Sequence, residues 1–350
     1  MSECWSVPLA ILSCNNDVLI SYFFSKALSM AVTNETYQDT SFIHEQMIIF
    51  EMNERTMVKV AVAILMAVFF IYINCVMIFA MSSRMTFMEI SRYILFTHLL
   101  LNDSMQLLVS CLMYVFALVY LRLVKVVCGL FVMFGSGMSR VAPLNLALMS
   151  LERYAAICLP LRHSDIATPK RSGIAIAVIW FVILINLIID MLYSTAKDPG
   201  FFVTPIFCTR QKLFFALWQM QVFQGFNTFC FVAVSLIIIY TYIAIIVTAR
   251  AASSDKTKAS KAHKTVLLHL VQLGLSLSSF LYAPIESALA SVGSNTIFID
   301  LRYINFLFLI ILPRCLSPLI YGLRDDAIRP LFLHYLTCRT RKVRAAVMVQ

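Results

Sequence analysis

Seven long apolar segments, separated by short polar stretches, dominate this sequence. They cover residues 58–81, 93–114, 126–158, 173–193, 213–247, 265–291 and 297–321. A helix needs roughly 20 apolar residues to cross a bilayer, and every segment reaches that length. Because the segments are continuously apolar rather than alternating, they predict helices and not the strands of a barrel. The expected fold class is an all-α membrane protein, a bundle of seven transmembrane helices.

The composition supports a membrane protein and argues against several other classes. Hydrophobic residues make up 61% of the chain and charged residues 13%, whereas soluble proteins are about 45–50% apolar and about 25% charged. The net charge of +10 is spread between the apolar segments, so it does not indicate a nucleic-acid partner. The ten cysteines show no C-x-x-C spacing, and neither a metal site nor a cofactor is expected.

The distribution of Lys and Arg predicts the orientation of the chain. The loops after the first, third and fifth segments and the carboxyl-terminal tail are rich in Lys and Arg, and the opposite loops are poorer. The positive-inside rule therefore places the carboxyl terminus in the cytoplasm and the amino terminus outside. A glycosylation sequon at Asn34, just before the first segment, agrees with this orientation. A second sequon, at Asn102, lies inside an apolar segment and should be unreachable.

Three parts of the chain differ in composition. Residues 1–57 form an extracellular amino-terminal segment, residues 58–324 the helix bundle, and residues 325–350 a cytoplasmic helix with a basic tail. Residues 1–29 are either an extension upstream of Met30 or a disordered tail. The mixed stretch DDAIRPLFLHYL predicts a short amphipathic helix on the inner membrane face, although Pro330 argues against it. Cys338 is either palmitoylated or unmodified.

Two charged side chains in different apolar segments suggest a buried pair. Asp103 lies in the second segment and Arg314 in the seventh. Because a buried charge is expensive unless it is paired, we expect these residues to face one another. Asn74 and Ser317 should lie nearby, completing a buried polar core.

Arg140 is a third such charge, near the middle of the third segment. An ionisable group at that depth is a candidate functional residue. Two roles remain open for it: it binds an acidic ligand, or Asp190 or Glu286 neutralises it in a structural ion pair.

The stretch from Leu146 to His163, LALMSLERYAAICLPLRH, carries the most distinctive motif of the chain. It resembles the third-helix end of rhodopsin-like G-protein-coupled receptors, and in detail the motif M-A-x-D-R-Y-V-A-I-C-x-P-L-R-Y of the odorant-receptor branch. Residues 261–270 resemble the start of that family's sixth helix, K-A-F-S-T-C-x-S-H-L. Residues 317–324 resemble the end of its seventh helix, N-P-x-I-Y-x-x-R. The resemblance covers about residues 58–336.

Several departures from the family pattern favour a fish-type odorant receptor over a mammalian one. Residues 85–88 stand where the family has P-M-Y, and residues 276–278 read S-L-S where it has F-Y-G. Ser317 replaces the asparagine of N-P-x-x-Y. The second extracellular loop contains one cysteine, Cys208, where many odorant receptors have three. We therefore expect the ligand-binding region and the switch region below it to be unusual for the family. The end of the bundle that couples to the G protein should be ordinary.

The resemblance implies a receptor at the plasma membrane of an olfactory sensory neuron. Such a receptor binds a small, water-soluble odorant in the outer half of the bundle and activates a heterotrimeric G protein, here an olfactory stimulatory type that raises cyclic AMP. It is not an enzyme, and the sequence contains no intramembrane catalytic motif. Two alternatives remain: a G-protein-coupled receptor for a non-odorant ligand, and a transporter, although no internal repeats or paired helix interruptions are found.

The resemblance also assigns roles to individual residues. It pairs Cys128 with Cys208 in a disulfide. The residues expected to couple to the G protein are Glu152, Arg153, Tyr154, Tyr321 and Tyr242, with Tyr240 as an alternative to Tyr242. Arg153 should be held by Glu152 until the sixth helix moves outward.

Helix depth and polarity suggest the ligand-binding residues. At 1.5 Å per residue, Ser139 and Gly135 lie roughly 20–27 Å above Arg153 on the same helix face. The candidate ligand-binding residues are Gly135, Ser136, Ser139, Arg140, Gln224, Ser279, Tyr282, Glu286 and Asn305. Hydrogen bonds between helices would explain such polar residues equally well.

Overall fold

The computed structural model describes residues 54–118, 122–208, 210–213, 216–252, 270–282, 284–285, 288, 296–325 and 327–337. Several predictions fall wholly or largely on residues outside these ranges: the amino-terminal segment with its sequon at Asn34, the basic loop 256–264, the sixth-helix motif 261–270, Glu286, Cys338 and the basic tail. Tyr321 lies in a described helix, but its side chain is outside the description.

The described residues contain six helices that are long and apolar enough to cross a membrane, and these helices match six of the seven predicted segments. The long helices are α1 (Glu54–Ser82), α3 (Ser91–Leu118), α4 (Lys125–Cys158), α6 (Pro169–Lys197), α8 (Leu217–Ala252) and the seventh span, which begins as α10 (Thr296–Phe306), makes a π-helical turn at Leu307–Ile311 and continues as α11 (Leu312–Arg324). A shorter apolar helix, α9 (Leu270–Leu281), lies in the predicted sixth segment. The short helices are α2 (Met85–Met88), α5 (Pro160–Ile166), α7 (Arg210–Leu213) and α12 (Ile328–Leu336). We number the spans first to seventh in chain order.

Local sequence explains how the third and fourth spans are joined. Pro160 is at the start of α5, where its fixed φ suits a helix and its missing N–H is not needed. The Thr168 hydroxyl then caps the fourth span by accepting a hydrogen bond from the Arg171 backbone N–H at 3.3 Å. The Leu146–His163 motif therefore straddles the end of the third span and the start of α5.

The largest cluster of buried apolar side chains joins most of the spans at the end of the bundle that carries Glu152, which we call the inner end. Met77, Leu99, Leu146, Val234 and Leu273 contribute to it from the first, second, third, fifth and sixth spans. Lipid tails are as apolar as leucine, so close van der Waals packing and not the hydrophobic effect holds such helices together. The third span is thereby locked to its neighbours within the Leu146–His163 motif, one turn before Glu152.

The π-helical turn of the seventh span ends two residues before Pro313. Because proline has no N–H and its ring collides with the preceding turn, it breaks the regular helix ladder. A π turn absorbs that break. The Arg314 side chain donates a hydrogen bond to the Ile310 carbonyl, and the Ser317 hydroxyl donates one to the Pro313 carbonyl at 3.1 Å. These bonds supply donors to carbonyl groups in the disturbed region.

The short helix α12 confirms the predicted amphipathic helix after the seventh span. Ile328, Leu331 and Phe332 are buried on one face and pack into the inner apolar cluster. Pro330 does not prevent the helix, because it lies in the first turn, where backbone N–H groups have no partner within the helix. The Tyr335 ring makes an edge contact with Phe79 at a centroid distance of 5.1 Å, which ties α12 to the first span.

The loop between the fourth and fifth spans is attached to the opposite end of the third span, which we call the outer end. Strand β1 (Arg122–Val124) pairs antiparallel with β2 (Pro205–Phe207). The Cys128–Cys208 disulfide follows directly, with an S–S distance of 2.10 Å, and confirms the expected pairing. Both attachments hold the loop against the start of the third span.

An ion pair supplies a third attachment of this loop. Lys125 Nζ donates a hydrogen bond to the Asp198 carboxylate at 2.5 Å. The Gly200 backbone N–H donates another at 3.0 Å. The hydrogen bond from Lys125, more than any other contact, lowers the pKa of Asp198 below its ordinary value.

Candidate functional site

Arg140 lies inside the bundle, on the third span, with only 1% of its surface exposed. Its Nε donates a hydrogen bond to the Asn227 side-chain oxygen of the fifth span at 2.7 Å. Its guanidinium carbon lies 4.2 Å from the Phe223 ring centroid and 5.2 Å from that of Phe226. Both distances fall within the range of cation–π attraction. The fifth span therefore fixes the plane of this guanidinium.

The two terminal nitrogens of Arg140 differ from its Nε. Both are buried, and within the described part of the chain neither has a hydrogen-bond partner. Asp190, one of the two counter-ions considered from sequence, instead pairs with Arg210, at 3.5 Å. The other, Glu286, is outside the described residues. Among the residues that the structure describes, no carboxylate lies within ion-pair distance of Arg140.

A second arginine reaches the same aromatic ring from the outer loop. Arg210 is the first residue of α7, two positions after the disulfide-bonded Cys208. Its guanidinium carbon lies 3.4 Å from the Phe223 centroid. The guanidinium carbon of Arg140 lies 4.2 Å from the same centroid, so the two carbons are at most about 8 Å apart. At an effective dielectric constant of about 20, like charges about 8 Å apart repel each other by about 2 kcal/mol. Among the described side chains, two cations and one carboxylate, that of Asp190, thus share this region.

The other ligand-binding candidates on the third span line the same helix closer to its outer end. The Ser136 hydroxyl donates to the Val132 carbonyl at 2.6 Å, and the Ser139 hydroxyl donates to the Ser136 carbonyl at 2.9 Å. Each hydroxyl can therefore still accept a hydrogen bond but has already used its proton. Gly135 faces the second span, where an added Cβ would lie 3.5 Å from Val109.

The candidates on the other spans differ in their contacts. Ser279 is buried and donates to the Ser276 carbonyl of its own helix at 2.6 Å. The Asn305 amide donates to the Tyr282 carbonyl at 3.4 Å and so links the seventh span to the sixth. Gln224 is exposed, whereas the neighbouring Asn227 reaches Arg140. The ligand-binding role of each of these residues stays a prediction.

Sequence reasoning missed Asn227, Phe223 and Arg210 as parts of this region. An amide inside an apolar span was the available signal for Asn227. Arg210 gave no such signal, since Arg and Lys are common in loops and only the disulfide and α7 bring it to the bundle.

The buried polar core lies between the second and seventh spans. Asp103 and Arg314 are 1% and 2% exposed, and Arg314 is the cation that acts electrostatically on the Asp103 carboxylate. Ser317 lies close to that carboxylate, and Asn74 is fully buried. Within the described ranges, neither Asp103 oxygen accepts a hydrogen bond of good geometry, although Ser317 and Asn102 are close enough to act on the carboxylate. Direct pairing of the two charges therefore stays a prediction.

The inner end carries the Glu152-Arg153-Tyr154 triplet. Glu152 Oε1 lies 3.2 Å from His163 Nε2 of α5, so its observed partner is on the following helix. The Tyr154 hydroxyl lies 3.4 Å from that of Tyr240 on the fifth span. Tyr242 is instead buried in the inner apolar cluster. The expected contact between Glu152 and Arg153 stays a prediction.

The described residues include no group of three or more His, Cys, Asp or Glu side chains that could hold a metal ion.

Comparison with known proteins identifies the family. The model of the family "7 transmembrane receptor (rhodopsin family)" matches residues 73–321. Odorant receptor 131-2 of Danio rerio is 35% identical over 283 residues, which are 80% of this chain and 85% of that protein. Olfactory receptor 1073 of Rattus norvegicus is 27% identical over 56% of this chain and 63% of its own length. The human motilin receptor is 37% identical over 79 residues, 22% of this chain and 19% of that receptor. The chain therefore belongs to the rhodopsin family of seven-transmembrane receptors, in its odorant-receptor branch.

Proposed function

We propose that this protein is an odorant receptor that binds a small, water-soluble odorant in the outer half of its helix bundle and activates a heterotrimeric G protein. The observation that carries the proposal is the 35% identity to an odorant receptor over 80% of the chain. The function of that relative is given by its name, and the extent of the similarity supports the same function here.

The positions of the two ends of the third span support a signal that passes along it. The span contains 34 residues, which corresponds to about 50 Å. Arg140, the aromatic rings and the disulfide-held loop lie towards its outer end, and the Glu152-Arg153-Tyr154 triplet lies at its inner end. The fifth span contacts both regions, through Asn227 above and Tyr240 below. A ligand that shifts the fifth span relative to Arg140 would therefore disturb the inner contacts as well.

The receptor is a multi-pass membrane protein, and we propose that its inner end faces the cytoplasm. The excess of Lys and Arg in the loops on that side supports this orientation. Arg153 would then contact the G protein, with Tyr154, Tyr242 and Tyr321 rearranging around it. A stimulatory olfactory G protein and the plasma membrane of a sensory neuron are the expected partner and location.

The test is ligand-driven cyclic AMP in cells that express the receptor with a stimulatory olfactory G protein. The panel should contain amino acids, bile acids, steroids and small carboxylates, so that an odorant and a non-odorant ligand can be told apart. We expect at least one compound to raise cyclic AMP and Arg153→Ala to remove most of the response without lowering surface expression. A full response in the Arg153→Ala variant would contradict the coupling role. Activation only by a non-odorant ligand would favour the alternative receptor class.

A further inference from the structure

Arg140 carries two buried donor groups that the described protein does not satisfy. Leaving a charged donor buried without a partner is more costly than leaving a neutral one, and a cation in the interior of a membrane bundle is costly in itself. The cation–π contacts with Phe223 and Phe226 reduce that cost but do not accept the hydrogen bonds of the two terminal nitrogens. An external acceptor would satisfy both nitrogens at once.

The geometry of Arg140 favours a carboxylate as this acceptor. Asn227 already occupies the Nε position, and the aromatic rings hold the guanidinium group in place. The edge formed by Nη1 and Nη2 remains. Two parallel N–H groups on one edge of a guanidinium match the two oxygens of a carboxylate, and such forked pairs are among the strongest hydrogen-bonded contacts in proteins.

The local charge indicates how many negative charges the ligand carries. Arg140 and Arg210 contribute two positive charges, and Asp190 contributes one negative charge through its pair with Arg210. The described side chains of this region thus leave one positive charge without a counter-ion. A ligand with a single carboxylate would balance it, whereas a ligand with two would replace a positive excess with a negative one.

The surroundings indicate what the rest of the ligand is like. Phe226 packs against a buried apolar cluster formed by Val141, Ile183 and Leu187. The Phe223 ring contacts both arginines and is itself buried. A site with one charged edge and apolar walls selects a molecule with one polar end and an apolar body.

We propose that Arg140 and Arg210 form an anion-binding site shared by the third span and the outer loop, and that its ligands are monocarboxylates with an apolar body. That these ligands are odorants rests on the proposed function, whereas the site itself can be tested by binding alone. Arg140 binds the carboxylate directly, and Arg210, which contacts the same Phe223 ring, supplies the second positive charge.

The test measures binding to the purified full-length receptor in lipid nanodiscs, in a buffer low in chloride. The probes are acetate, hexanoate and decanoate, with hexanamide as a neutral match to hexanoate and with sodium chloride as a simple anion. Thermal unfolding, followed by tryptophan fluorescence, reports binding as a concentration-dependent rise in Tm. We expect a carboxylate to raise the Tm and hexanamide to have no effect at the same concentration.

Variants show which residues hold the anion. Arg140→Gln and Arg210→Gln should each weaken carboxylate binding about 10- to 100-fold, the usual effect of losing a charged hydrogen-bond partner. Arg140→Lys keeps the charge but loses the fork, so its affinity should lie between those of the wild type and Arg140→Gln. Arg122→Gln removes an exposed positive charge from the same outer region and should bind like the wild type.

Four outcomes would overturn the proposal. The first is that no carboxylate raises the Tm more than hexanamide, a comparison that depends on no variant. The second is wild-type affinity in both Arg140→Gln and Arg210→Gln. The third is a rise in Tm with chloride equal to that with every carboxylate, which would make this an inorganic-anion site. The fourth is carboxylate binding that appears only in Glu286→Gln, which would mean that the chain neutralises Arg140 itself.

These outcomes separate the site from the proposed function. If carboxylates bind through Arg140 but no panel compound raises cyclic AMP, the site stands and the receptor function is in error. If a panel compound raises cyclic AMP but no carboxylate raises the Tm more than hexanamide does, the receptor function stands and the anion site is in error.

Discussion

Two arginines inside the membrane spans differ in what opposes their charge. Arg314 acts on Asp103 within a buried polar core. Arg140 is opposed by aromatic faces and an amide, and within the described residues it has no carboxylate at ion-pair distance. A bundle can retain the first arrangement for stability alone, because each charge compensates the other. The second arrangement leaves a cation that can bind an anion from outside the described part of the chain.

We predict that Asp103 and Arg314 depend on each other. Asp103→Arg would place two positive charges together, and Arg314→Asp two negative charges, and breaking a buried pair typically costs about 3–5 kcal/mol. Surface expression of each single variant, measured by flow cytometry of an amino-terminal epitope, should fall severely. The double exchange should recover a substantial part of it.

A matched exchange at an exposed pair serves as the control. Lys59 and Asp300 form an ion pair between the first and seventh spans, and the Asp300 side chain is 59% exposed. Surface pairs contribute about 0–1 kcal/mol, so Asp300→Arg should leave expression nearly unchanged. Failure of the Asp103→Arg, Arg314→Asp double exchange to restore any surface expression would show that these charges do not face one another.

The outer loop illustrates how much one element depends on short-range attachments. Strand pairing, the disulfide and the contact between Lys125 and Asp198 all lie within a few residues of the start of the third span. Because these attachments are close together, loosening one of them leaves α7 held by the others. Their combined effect is to fix α7, and with it Arg210, against the bundle.

The stability that Asp198 contributes should depend on pH in one direction. Because its pKa is lowered in the folded protein, its contribution is complete above the ordinary carboxylate pKa of about 3.9. That contribution is lost as the pH falls through the lower folded value. The difference in Tm between wild type and Asp198→Asn should therefore be constant from about pH 7 to pH 5 and shrink below about pH 4.

A companion variant can distinguish this ion pair from a general acid effect. Lys125→Gln removes the donor that lowers the Asp198 pKa, so it should show the same pH dependence as Asp198→Asn. A Tm difference that persisted unchanged at pH 3 would rule out ionisation of Asp198 as its cause.

The spans could be predicted from sequence because long apolar runs have few alternatives in a bilayer. The three-residue strands β1 and β2 could not, since their pairing depends on contacts between residues about 80 positions apart. Pro330 was misleading for a different reason: its effect depends on where the helix begins, and sequence patterns locate helix ends poorly. The presence of each main helix was therefore easier to infer than its boundaries.

At the scale of the whole molecule, the orientation rests on charge distribution and can be tested directly. We predict that the sequon at Asn34 carries a glycan because the amino terminus enters the lumen of the secretory pathway. Thr36→Ala should abolish a shift in gel mobility that a glycosidase removes from the wild type. Ser104→Ala, at the second sequon, should leave that shift intact, since Asn102 is buried and donates to the Met138 carbonyl. A glycan that survives Thr36→Ala would contradict the prediction.

The candidate site could be predicted only in part. Arg140 stands out in the sequence because a charge inside an apolar span is unusual. Arg210 does not, because its importance comes from the disulfide and α7 acting together. The residue that fixes Arg140, Asn227, differs by one turn from the candidate Gln224, and a span without a clear polar face does not reveal which amide points inward.

The position of Arg210 has a consequence for exchanging parts between receptors. Of the two positive charges in the proposed anion site, one comes from Arg140 on the third span and the other from Arg210 on the loop helix α7. The recognition surface is therefore not contained in the membrane spans alone. A chimera that takes all seven spans of this protein but the outer loop of a relative would inherit Arg140 without Arg210. Its ligand preference would match that of neither parent. Transferring the ligand preference of one receptor to another would therefore require moving the outer loop together with the spans.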